Sequence, residues 1–103
     1  MAQATLKDPL GRQVTLAEHT WHGHILIGHP DMQQYRSGVE LAVTDPLEIR
    51  TSQADPNCRI YFGVQSKPGT IIAVLTDING GFIKTALNAQ SAKGTVEWSR
   101  PMR

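Results

Sequence analysis

All four histidines of this 103-residue chain, His19, His22, His24 and His29, fall within eleven residues, around the segment Trp21-His22-Gly23-His24-Ile25-Leu26-Ile27-Gly28-His29-Pro30-Asp31. Imidazole exchanges a proton near neutral pH, so such a cluster points to acid/base catalysis, metal binding or a pH switch. A zinc site asks for three or four nitrogen or sulfur donors, and the chain offers one cysteine, Cys58, and no His-Glu-x-x-His pattern. No metal and no cofactor is therefore expected. His19 and His22 are three apart on the helix face opposite Ala17 and Ile25 and read as solvated residues. His24, beside Trp21, Ile25 and Gly28, falls near the inner face, where it is either a hydrogen-bonded core histidine or a catalytic one. His29 precedes Pro30 and belongs in a turn, as a cap or as a second catalytic group. The five positions between them amount to about 140° of rotation on an ideal helix. They diverge on one straight helix, and a chain turn after Gly28 is what could make them converge.

The elements that position these residues follow from spacing. Thr15-Leu16-Ala17-Glu18 matches a capping box, and Ala17, Trp21, Ile25 and Gly28 recur at helical spacing, predicting a helix over roughly 16–28. Pro30 suits the first position of a second helix, whose stripe is Met32, Tyr35, Val39, Ala42 and Val43 and whose end is Asp45-Pro46. Before the first helix, Asp8-Pro9-Leu10-Gly11 has turn chemistry between extended segments, predicting a short hairpin. From Leu47 the period becomes two, with β-rich segments at 47–52, 58–65, 70–77 and 81–88, separated by short turns. Sequential strands with short links imply an antiparallel meander. The residues after Gln90 read as loop, with Val96 and Trp98 docking on the body.

The expected fold is thus α+β: a short N-terminal hairpin and two helices packed on one face of a four-stranded antiparallel sheet, whose other face stays open. One domain is expected over 1–103, with its core at about 8–88 and a tail at 89–103. Alternation turns Glu48, Arg50 and Ser52 away from the core, and Tyr61 is expected to share the open face with Arg50. For Thr85, alternation with Phe82, Lys84 and Ala86 leaves the face undecided.

A hydrophobic fraction of 40% with 18% charged residues indicates a folded chain. The longest apolar run, Ile71-Ile72-Ala73-Val74-Leu75, is far below the roughly 20 residues that cross a bilayer, and the start lacks a basic-then-apolar signal. A cytoplasmic location with no membrane partner is expected, and a lone cysteine fits a reducing compartment. The net charge of +1 hides an asymmetry. Residues 1–46 carry three basic and five acidic side chains, residues 47–103 seven and four, giving minus two and plus three. A sheet built from the second half could offer a mildly cationic surface to a phosphate backbone, although ordinary scatter of charge explains the difference equally well.

The stretch Trp21-x-x-His24-Ile25-x-x-x-His29-Pro30-Asp31-Met32 resembles phage-associated nuclease-like proteins of the superfamily that groups barnase, EndoU, tRNA-cleaving colicins and RelE. That family typically has Trp, His-Ile and then His-Pro-Glu. The resemblance continues in Asp45-Pro46-Leu47-Glu48-Ile49-Arg50, Arg59-Ile60-Tyr61-Phe62 and Phe82-Ile83-Lys84-Thr85-Ala86, and covers roughly residues 8–88. Asp31 replaces the usual Glu, and Leu87 stands where an aromatic residue often follows Thr-Ala. The resemblance implies catalytic positions at His24, His29, Arg50 and Thr85, with Tyr61 binding substrate. It implies a toxin-like, metal-independent endoribonuclease in which one histidine activates a 2′-hydroxyl and the other protonates the leaving oxygen, while Arg50 stabilises the phosphoryl charge. RNA, tRNA included, would be the substrate, and an inhibitor or antitoxin protein the partner. The alternatives are a catalytically silent nuclease-like domain that binds RNA or a protein, and a structural interaction domain, which the small net charge favours.

Overall fold

The computed structural model describes residues 3–101. A hairpin of β1 (Ala4–Lys7) and β2 (Gln13–Leu16) leads into a first helix, α1, built from three stretches: an α turn at Glu18–Thr20, a π turn at Trp21–Ile25 and an α turn at Leu26–Gly28. A 3-10 segment at Pro30–Tyr35 continues into α2 (Arg36–Thr44). The strands β3 (Glu48–Thr51), β4 (Cys58–Gln65), β5 (Ile71–Asp77), β6 (Phe82–Ala89) and β7 (Thr95–Ser99) follow. No helix among the described residues is long and apolar enough to cross a membrane.

The class is α+β, but the expected four-stranded antiparallel sheet is incorrect. The sheet has seven strands in the order β1-β2-β6-β5-β4-β3-β7 and is mixed. The meander β3 to β6 forms its middle, and both flanking segments extend it. Strand β2 runs parallel to β6 with the single pair Thr15↔Phe82, and β7 lies antiparallel to β3. The tail therefore supplies a strand where a loop is predicted. Thr95-Val96-Glu97-Trp98-Ser99 is mostly exposed, and pairing with the β3 edge holds it rather than a periodic apolar face. The sheet curls until its outer elements meet: Arg12, just before β2, reaches Glu97 of β7 at 2.7 Å.

The predicted capping box does not form. Thr15 belongs to β2, Ala17 is the N-cap without a side-chain bond, and Glu18 instead accepts from Arg36 at 2.7 Å. That guanidinium also lies 4.9 Å from the Trp21 ring centre, joining α1 to α2 by a cation–π contact.

Register sets the two sheet faces. Ile49, Tyr61, Val74 and Ala86 form one row on the inner face, where Trp21, Ile25, Met32, Val39, Ala42 and Val43 of the helical layer are all buried. Gly63 permits this approach, since a Cβ there would lie 2.7 Å from the Ala42 Cβ. Arg50, Ile60, Leu75 and Thr85 form a row on the outer face, and Glu48, Phe62, Ala73 and Leu87 the next. The link from β6 to β7, residues 90–94, crosses this outer face because β5, β4 and β3 separate its two ends.

Candidate functional site

His24 is set by the π turn. There the Leu26 N–H bonds to the Trp21 carbonyl, five residues back, and the wider turn keeps Trp21 and Ile25 buried while His24 is exposed. The expected inner-face position of His24 is therefore not adopted. Its ring lines a shallow hollow of about 350 Å³ with His19, Thr20, Gly23, Phe82, Ile83 and Lys84. Beyond Phe82 the outer edge of β6 has α1 beside it rather than a strand, because β2 pairs with β6 at only one position. Lys84 stands 3.5 Å from Asp55, and the neighbouring Thr85 points to the outer face in the row with Leu75.

His29 ends α1 with a non-helical backbone, φ −138° and ψ 72°, its N–H bonded to the Ile25 carbonyl at 2.7 Å. The chain turn after Gly28 thus exists. The half-buried His29 stands near Asp31, whose carboxyl is held below the usual range by a 2.6 Å hydrogen bond from Asn88 and, secondarily against desolvation, by the charges of Lys67 and His29. His24 thus lines the hollow at the Lys84 end of β6, and His29 sits two residues before Asp31, which Asn88 binds at the other end. Neither ring hydrogen-bonds to another side chain among the described residues.

Arg50 is on the outer face as expected, but three of its five N–H donors are already used. Nε and Nη2 donate to Glu48 Oε1 at 3.0 and 2.8 Å, and Nη1 donates to the Gly94 carbonyl at 3.0 Å. Three strand spacings, about 14 Å, separate it from Thr85 along their row. The structure therefore brings His24 close to the Lys84–Thr85 segment and leaves Arg50 apart.

Tyr61 does not share the open face. It is fully buried in the inner row and donates to Asp8 Oδ2 at 2.6 Å, and burial, reinforced by this carboxylate, pushes its phenol pKa well up. Alternation alone does not reveal this face for Tyr61, because the acidic partner that makes an inner tyrosine tolerable, Asp8, lies far away in sequence. Asp8 reads in the sequence only as a turn residue. It does accept from the Leu10 and Arg12 N–H groups, at 2.9 and 2.8 Å, and it also binds Arg12 Nε at 2.7 Å. Burial alone would raise its pKa, but the bonds from Tyr61 and Arg12 outweigh it and hold the carboxyl low. The chain of contacts continues from Arg12 to Glu97 at 2.7 Å and from Glu97 to Arg59 at 2.9 Å. This network is a clasp that closes the curled sheet.

Among the described residues no three His, Cys, Asp or Glu side chains converge as metal ligands. Cys58 is buried in β4, where desolvation raises its thiol pKa and keeps it unreactive. No protein-family model, curated protein or solved structure matches the chain.

Proposed function

We propose that the protein is a metal-independent endoribonuclease whose working strip follows β6 from its edge beside α1 onto the outer face at Thr85. The observation that carries this reading is a pair of imidazoles without side-chain hydrogen bonds among the described residues, His24 in the hollow beside Lys84 and His29 two residues before the Asp31 that Asn88 of the same strand holds. Four strand residues, about 13 Å, separate Lys84 from Asn88 along β6, so the two histidines mark the ends of the strip. The reading requires each ring to come within hydrogen-bond reach, about 2.6–3.2 Å, of one reacting oxygen of the same phosphodiester.

One imidazole takes the 2′-hydroxyl proton as that oxygen bonds to phosphorus. The bond from phosphorus to the 5′ oxygen breaks, and the other imidazole delivers a proton to the leaving oxygen. The products are a 2′,3′-cyclic phosphate and a 5′-hydroxyl. Lys84 exchanges its 3.5 Å contact with Asp55 for the charge growing on the non-bridging oxygens, and Thr85 orients them by a hydrogen bond. Arg50, about 14 Å from Thr85 and paired with Glu48, is left out of this step. RNA, tRNA included, is the substrate in this reading, and an inhibitor or antitoxin protein is its expected partner in the producing cell.

The test is cleavage of total RNA in excess EDTA by wild type, His24→Ala and His29→Gln, each shown to be folded. Fragments ending in 2′,3′-cyclic phosphate from wild type alone support the reading. Cleavage that persists at a bond whose 2′-hydroxyl has been replaced by hydrogen, or that needs an added divalent ion, refutes it. The engagement of Arg50 by Glu48 and Gly94 favours a second reading, a silent RNA-binding domain. That reading requires RNA affinity that strengthens at low salt without cleavage.

A further inference from the structure

The hollow between the outer sheet face and the crossover at residues 90–94 has a floor of Ile60, Phe62, Ala73, Leu75 and Leu87 and a volume of about 430 Å³. That volume lies in the range of small-ligand sites, about 300–1,000 Å³. The crossover brings Gln90, Ser91 and Lys93 to the rim, and none of these side chains makes a hydrogen bond or ion pair among the described residues. A second hollow, of about 290 Å³, shares Ile60 and Lys93 with the first, so Lys93 stands between the two.

The β7 end of the crossover, next to Lys93, is fixed in place. Arg50 holds the Gly94 carbonyl, and Gly94 has φ +104° with the Thr51 carbonyl oxygen 2.5 Å from where a Cβ would be. Only glycine fits there, so the crossover enters β7 in one defined conformation. A site that is formed before its ligand arrives loses less entropy on binding.

We infer that this hollow is a nucleobase subsite for one unpaired base of the RNA, an inference that rests on the proposed RNA substrate. A purely aliphatic ligand leaves three polar rim groups unused, and a sugar leaves the apolar floor unused. A base has apolar faces for the floor and a polar edge for the Gln90 amide, which both donates and accepts, and for the Ser91 hydroxyl. Its attached phosphate supplies the anion for Lys93. Leu87 lies two residues from Thr85 on the same face, about 7 Å along β6, so a strand with a phosphate at Thr85 can place a base in the hollow.

The experiment is a nuclear magnetic resonance titration of the isotope-labelled full chain with the four ribonucleoside 3′-monophosphates, with inorganic phosphate as control. Total-RNA cleavage is run in parallel on the same samples. Nucleotide-induced shifts at Ile60, Leu75, Leu87 and Ser91 that phosphate alone does not produce are expected. Leu87→Trp should weaken nucleotide binding at least tenfold, and Gln90→Ala, at an exposed site, should alter the preference among bases. Lys93→Gln should lower the salt slope for single-stranded RNA by about 0.7. No shifts at millimolar nucleotide, shifts matched by phosphate alone, or undiminished binding in folded Leu87→Trp together with an unchanged base preference in Gln90→Ala overturns the subsite. Cleavage by wild type without hollow shifts rejects the subsite alone. Hollow shifts without cleavage uphold it and reject the catalytic reading.

Discussion

Replacing Tyr61 by phenylalanine deletes one hydroxyl and leaves the shape of the inner row unchanged. The lost group is buried and donates to a buried carboxylate at 2.6 Å, so the substitution removes a charge-assisted bond and leaves Asp8 with one donor fewer. Hydrogen bonds to charged groups contribute about 1.5–3 kcal/mol. Asp8 keeps three other donors, from Leu10 and Arg12, so its charge remains compensated and the loss stays near 2 kcal/mol rather than rising to the cost of an orphaned buried ion. For a domain of this size that corresponds to a fall in melting temperature of roughly 8–16 °C. The assay is thermal melting by circular dichroism, paired with RNA binding and cleavage at a temperature where both proteins are folded. The structure predicts a large loss of stability with RNA activity unchanged, because the phenol faces the core. A Tyr61→Phe protein that melts like wild type and loses RNA activity would refute the inner-face placement and restore the substrate-binding role that the sequence suggests.

Asp8 also sets an acid limit. Its folded pKa is depressed, so its stabilisation is fully present above the unfolded value and is lost as pH falls through about 4 and below. Melting temperature measured from pH 6 to pH 3 should fall more steeply in wild type than in Asp8→Asn, which starts lower. Gly63→Ala should cost about 1–3 kcal/mol in a denaturant melt, because its Cβ meets that of Ala42 at 2.7 Å and α2 must retreat from β4. His24→Ala, at an exposed position, should leave stability within about 0.5 kcal/mol of wild type. Its RNA cleavage should drop by about 10²- to 10⁴-fold, read as initial rate on a defined oligonucleotide.

Local chemistry was legible where neighbours in sequence are neighbours in space. The Asp8 turn, the proline start of the second helical segment, the glycine- and proline-marked turns and the four β-rich segments all rest on contacts within a few residues. The α+β class was legible for the same reason, because the change of period at Leu47 separates helix from strand. The candidate histidines were visible from composition alone. Their orientation was not, since one π turn between Trp21 and Ile25 rotates His24 outward without changing which apolar residues recur.

Long-range pairing decided the rest. Whether β7 exists depends on the free edge of β3, and whether the hairpin joins the sheet depends on Thr15 meeting Phe82. Which face Tyr61 occupies depends on Asp8, and what Arg50 holds depends on a crossover that returns over the outer face. Alternation in a strand states that two faces differ and does not state which is buried. That choice is made by the partner side chains that the fold brings across, and here a carboxylate from the first turn drew a tyrosine inward.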